Sequence, residues 1–190
     1  MTSTTFLAAA LAATIMTAAL SSPIARAEQA APMPIRIDAT GFNTVLATAG
    51  DRLFISGQPS PEGFERLRTA GVNTVINLRT EPEMDALPFN ETELLGSLNM
   101  TYVHLPSGGP DTPYTPATLE RFAAVLSAAE GRVLLHCTVA WRASHLYAAY
   151  LHRYQGLTLK DAIDHATIIN FGGLPIEGFL GETLEVKAQR

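Results

Sequence analysis

A chain of 190 residues, 47% of them apolar and 16% charged, carries enough material for one well-packed domain. Its formal net charge of −5 and the lack of any basic run argue against nucleic acid or an anionic membrane as a partner. With a single cysteine it cannot form an internal disulfide.

Taken in order, Phe6 to Leu20 is an alanine-rich apolar run, and Ala25-Arg26-Ala27 follows as a small-x-small site. That layout predicts a secretory signal peptide over 1–27, cleaved after Ala27, and a periplasmic or secreted product. Met1 to Thr5 holds no Lys or Arg, which leaves an uncleaved anchor as the alternative. Losing Arg26 takes the charge from −5 to −6. No later apolar run reaches spanning length, so no membrane association is expected after cleavage. The predicted organisation is a signal peptide, a leader over 28–42 and one domain over 43–190.

Within that domain, Ile35 to Thr40 and Leu53 to Ser56 read as short strands, with Gly50-Asp51 as a turn between strand-like segments. Ser60 caps a helix that has Pro61 at its first position, buries Phe64, Leu67 and Ala70, and stops at Gly71. Val72 to Leu78 is a buried strand that delivers Arg79 and the acidic stretch Glu81, Glu83 and Asp85 at its end. Those acids read either as solvent-facing or as disfavouring a polyanionic substrate. Asn90 to Leu98 is a helix capped by Asn90, and Thr101 to Leu105 is a strand. Pro106 to Thr115 is a Gly/Pro loop holding Asp111, and Pro116 to Glu130 is an amphipathic helix. After the strand starting near Val133, Ala143 to Tyr154 and Leu159 to Ile168 are helical, the second capped by Thr158. The tail from Phe171 to Arg190 is less regular. Strands alternating with helices predict an α/β fold, compact, with a mostly parallel central sheet flanked by helices.

The stretch VLLHCTVAWRAS, Val133 to Ser144, concentrates the chemistry. A buried strand ends at His136, a short loop begins at Cys137, and a helix starts just past Arg142. Strand, loop and helix N-terminus together point backbone N–H groups and a positive dipole end at one spot, an anion cradle. The same field favours the thiolate of Cys137. Arg142 adds a planar fork matched to two oxygens of a phosphate or sulfate. The plain alternative for Cys137 is a small buried hydrophobe, although a lone working thiol suits an exported chain better than an idle one. His104, His145, His152 and His165 match no metal-ligand spacing, and His145 and His152 read as surface residues.

The segments ISGQPSPEGFERLRTAGVNTVINLRTEPE (Ile55 to Glu83) and VLLHCTVAWRAS resemble the bacterial beta-lactamase-hydrolase-like group of cysteine phosphatases. That group falls within the tyrosine and dual-specificity phosphatase superfamily. The resemblance runs from Asn43 to Ile169, and SGQP, VINLR and the HC-x4-R loop are its most specific parts. It implies a compact phosphatase fold and hydrolysis of a phosphate monoester, phosphotyrosine among the possibilities, through a phosphocysteine. The substrate would be a phosphorylated small molecule or phosphoprotein. Residue by residue, it implies Cys137 as nucleophile, Arg142 as the phosphate-binding arginine and His136 as a support of the thiolate. Asp111 would be the acid that protonates the leaving oxygen. Thr138, Val139, Ala140 and Trp141 would form the binding loop, with Arg79 lining its mouth. Neither cofactor nor metal is called for, since Arg142 and the helix end supply the positive charge.

Three departures bear on this. Four residues separate Cys137 from Arg142 where tyrosine phosphatases have five, a length shared with rhodaneses. Ala140 stands where four-residue relatives usually carry glycine, and alanine resists a positive φ. Ala143 follows Arg142 where many phosphatases place a hydroxyl, and Ser144 comes one residue late to support thiolate departure. A rhodanese-like sulfurtransferase or persulfide carrier, or a non-catalytic anion-binding or redox-sensing domain, are the alternatives.

Overall fold

The computed structural model describes residues 31–173 and 175–184, so the expected signal peptide lies outside the described residues. Its strands are β1 (Ile35–Ile37), β2 (Leu46–Ala49), β3 (Leu53–Ser56), β4 (Val72–Asn77), β5 (Thr101–His104) and β6 (Arg132–His136). Its helices are α1 (Pro61–Thr69), α2 (Glu81–Asp85), α3 (Glu91–Ser97), α4 (Pro116–Ala128), α5 (Trp141–Gln155), α6 (Leu159–Ile169) and α7 (Pro175–Leu180).

The strands form one sheet in the order β1-β2-β3-β6-β4-β5. β3, β6, β4 and β5 run parallel, and β2 and β1 extend one edge as an antiparallel meander. The sheet is therefore mixed around a parallel centre. β6 sits in the middle, and VLLH is buried along its length because both faces of the sheet are covered.

The two-residue period of a strand divides the core in two. Val133, Leu135 and Cys137 face α4, α5, α6 and α7. Leu134 faces α1 and α3. His136 points the same way, its ring meeting the edge of Phe64 on α1 at 5.9 Å. The nucleophile candidate and the histidine before it thus belong to opposite faces of one sheet.

Several elements differ from the expected ones. β1 stops at Ile37 rather than Thr40, because the Asp38 carboxylate accepts from Thr40 N at 3.2 Å and Thr40 Oγ1 at 2.9 Å and bends the chain there. β1 also lies inside the stretch read as a leader. It pairs with β2, and Arg36 donates to Ile168 O and Ile169 O, both at 2.5 Å, so the sheet starts before Asn43. α5 opens at Trp141, two residues earlier than expected, because Ala140 takes a left-handed turn at φ 64°. The expectation that alanine would refuse that turn fails; the conformation costs about 1 kcal/mol. α2 is one turn built on a capping box between Thr80 and Glu83, too short to show periodicity. α7 forms in the tail expected to be irregular. Its Ile176, Phe179 and Leu180 are buried, with Phe179 edge-on to Tyr114 at 5.1 Å.

Candidate active site

The C-terminal ends of β3, β4 and β6 meet at one rim, where parallel sheets place their sites. Thr138 and Val139 are pinned there from two directions. On the β3 side, Gln58 N donates to Thr138 O at 3.0 Å and Asn43 Nδ2 to the same oxygen at 2.9 Å. This close approach needs Gly57, where a Cβ would fall 1.8 Å from Asn43 O and 3.1 Å from Thr138 O. On the other side, Asn170 at the end of α6 donates through Nδ2 to Val139 O at 2.7 Å. Past Ala140 the first N–H groups of α5 lack acceptors within the helix and face the loop.

Cys137 is 1% exposed and packs in the α5-side core, with its N–H donating to Ser56 O at 3.4 Å. Burial works against the charge on Arg142, and Glu83 together with the Cys137 sulfur more than offset it, raising the guanidinium's pKa. Sulfur and guanidinium therefore act on one another at the head of α5.

Arg142 is fixed at both ends. Nη1 donates to Ser107 O at 2.8 Å, Leu78 O at 3.2 Å and Glu83 Oε2 at 2.8 Å. Nη2 donates to Glu83 Oε1 at 2.6 Å and to Thr138 Oγ1 at 3.1 Å. Glu83 thus grips the end of the fork, and Thr138 Oγ1 donates to the same carboxylate at 2.6 Å. Burial tends to raise the pKa of Glu83, but Arg142, Thr138 and Thr80 hold it well below the usual carboxylate range. Nη2 is the nitrogen that reaches the loop, through Thr138. An acid read as solvent-facing is instead the partner of the key arginine. Its signal was the Thr80–Glu83 capping box, which marks Glu83 as folded back onto its own helix start.

The remaining predicted residues have distinct places. Arg79 is only 7% exposed and supports α2 rather than the mouth, donating to Gln58 Oε1 at 2.6 Å and Glu83 O at 2.5 Å. Asp111 is exposed on the 106–115 loop. The base of that loop lies on the site: a Cβ at Gly108 would sit 3.2 Å from Arg142 Cδ and 2.5 Å from Tyr114 Oη. Tyr114, which sequence reasoning missed, faces the same centre. Burial raises its pKa against the pull of Arg142, and the Cys137 and Glu83 charges add to that rise, so it stays a neutral hydroxyl. Trp141 packs edge-on to His145 at 5.2 Å and donates through Nε1 to Gly172 O, a wall rather than a stacking platform. Ser144 Oγ is committed to Trp141 O at 2.8 Å and Asn170 O at 2.6 Å, tying α5 to the end of α6. His145, expected at the surface, is fully buried beside Phe171.

A family model described as a DSP-PTPase phosphatase fused to NAD+ kinase matches residues 37–177. The chain belongs to this family of cysteine phosphatases. Among solved structures, a putative phosphatase (DUF442) from Shewanella putrefaciens CN-32 is 30% identical to this phosphatase-family chain. The match covers 75% of this chain and 91% of that one at a TM-score of 0.58. TpbA of P. aeruginosa in complex with pTyr shares the fold at a TM-score of 0.56 and 19% identity, over 71% of this chain and 77% of that one. The beta-lactamase hydrolase-like protein of Xylella fastidiosa (strain Temecula1) is 35% identical over 105 residues, 54% of this chain and 24% of that protein. The one from Agrobacterium fabrum is 33% identical over 124 residues, 64% and 27% respectively. The chain thus spans about a quarter of these curated relatives.

Proposed function

We propose that the protein hydrolyses phosphate monoesters through a covalent phosphocysteine on Cys137. The observation that carries this is the placement of Cys137 at the end of β6, directly before a loop that leads into α5, with the Arg142 guanidinium at the head of that helix locked by Glu83 and joined to Thr138 of the loop. The thiolate attacks phosphorus and forms an S–P bond while the ester P–O bond breaks. Loop N–H groups and the Arg142 guanidinium hold the three equatorial oxygens. Asp111 gives its proton to the leaving alkoxide, which departs as an alcohol. Water then attacks phosphorus, Asp111 takes back a proton, and inorganic phosphate leaves with the thiolate restored. Net, one ester and one water become one alcohol and one phosphate.

The phosphotyrosine bound to TpbA supports a phosphorylated substrate for this chain as well. Mixing the protein rapidly with a chromogenic phosphate ester and weighing it intact tests the scheme. A gain of one phosphoryl group, absent in Cys137→Ser, is expected. A sulfur adduct formed from thiosulfate, with no phosphate released from the ester, would overturn it in favour of sulfur transfer. Asp111→Asn should slow esters of poor leaving groups far more than those of good ones. We further infer export, supported by residues 1–27 alone; N-terminal sequencing of the mature protein should begin at Glu28.

A further inference from the structure

The largest buried charge the scheme leaves unused is Glu91, at the first position of α3. It is 1% exposed, in a core where His136 is 0% exposed. Its Oε1 accepts from Asn77 Nδ2 at 2.9 Å and meets His136 Nε2 at 3.2 Å, and its Oε2 accepts from Gln58 Nε2 at 2.7 Å. Burial works to raise its pKa, but His136, Gln58 and Asn77 hold it below the usual carboxylate range, so it is ionised. Placing a carboxylate in such a spot costs several kcal/mol, and an apolar side chain of similar volume would serve packing as well or better. The charge therefore needs a reason beyond packing.

Its three partners supply one. Gln58 belongs to SGQP, Asn77 to VINLR and His136 to HC-x4-R, the three motifs that mark this chain. Each partner stands next to a contact of the cradle. Gln58 N holds Thr138 O at 3.0 Å, and Leu78, following Asn77, gives its carbonyl to Arg142 at 3.2 Å. His136 directly precedes Cys137. We propose that Glu91 is a positioning residue of the reaction: its buried carboxylate holds the His136 ring at the strand end before Cys137, and ties together the three strand ends that form the cradle.

His136 acts through the strand, not by touching sulfur, since the two side chains lie on opposite faces of the sheet. On its own face, its ring meets Glu91 from α3 and Phe64 from α1. Tyr102 of β5 reaches Asn77 Nδ2 at 3.0 Å and stays a neutral phenol, since burial and the Glu91 charge raise its pKa. Arg79 joins through Gln58 Oε1 at 2.6 Å. On the other face, Arg142 and Tyr114 feel the Cys137 sulfur, and Glu83 holds Arg142. His136 Nδ1 is buried without a partner among the described residues, so the ring's polar anchor is Nε2 on Glu91 at 3.2 Å.

The inference rests on Cys137 as nucleophile, and the test reads its sulfur whether or not an ester is turned over. Cys137 is the one cysteine of the chain, so the ultraviolet absorbance of thiolate reports it alone, with Cys137→Ser as the blank. In Glu91→Gln the midpoint of thiolate formation should move up by about one pH unit, a tenfold loss of thiolate below it. The acid limb of the kcat/KM profile should move with it, and Glu91→Asp should restore both. His136→Gln should give the same shift, and adding Glu91→Gln to it should add nothing. An unchanged midpoint in a folded Glu91→Gln would overturn the proposal. If that variant does not fold, an unchanged midpoint in His136→Gln would do so. A wild type that forms no phosphoenzyme yet shows the shift would sink only the phosphatase scheme.

Discussion

Arg142 shows how a single charge is made useful by what surrounds it. Two carbonyls and a carboxylate hold its fork, and the Thr138 hydroxyl ties it to the loop. Replacing Glu83 by Gln keeps the shape but removes one charge-assisted pair, and a pair of that kind is worth roughly 1.5–3 kcal/mol. Steady-state kinetics on Glu83→Gln should show kcat/KM lower by about ten- to a hundredfold, with secondary structure intact. Ala140 offers the opposite experiment. Its φ of 64° strains an L-residue, and glycine would relieve that strain while adding freedom to the unfolded chain. Ala140→Gly should gain a net of about 0.5 kcal/mol in urea unfolding.

At the scale of elements, capping does much of the placing. Asn90 Oδ1 accepts from Glu93 N at 3.1 Å and starts α3, which puts Glu91 in its first turn. Asn90→Ala should cost about 1 kcal/mol of stability by urea titration. The Ser60, Asn90 and Thr158 caps were legible in the sequence because each is a polar residue ahead of an apolar period. So were the four parallel strands; the apolar runs of β3, β4 and β6 reflect burial on both faces, while β5 is the edge. β2 and α2 were not delimited, being too short to show a period, and α7 depends on the packing of Ile176 and Phe179 against distant helices. Cys137 and Arg142 were legible as neighbours through one loop. Glu83, Tyr114 and Glu91 were not, because their partners lie far along the chain and only the fold brings them in.

For the whole molecule, acid should be destabilising well before the carboxylates titrate. Burial lowers His145 to about 4, against a hydrogen bond to Gly172 O that works the other way. Between about 4 and 6.5 the unfolded chain takes up a proton that the folded one refuses. Stability is therefore full above about 6.5 and falls as the pH drops, by roughly 3 kcal/mol from this residue. Urea melts from pH 7 to 4 should show the loss, and His145→Asn should flatten it.

The bond from Asn170 to Val139 also sets an order of assembly. Val139 precedes the side chain that clamps it by 31 residues. Until the end of α6 has docked, the loop after Cys137 has its strand but not its brace. The cradle is therefore completed only once α5 and α6 have packed together.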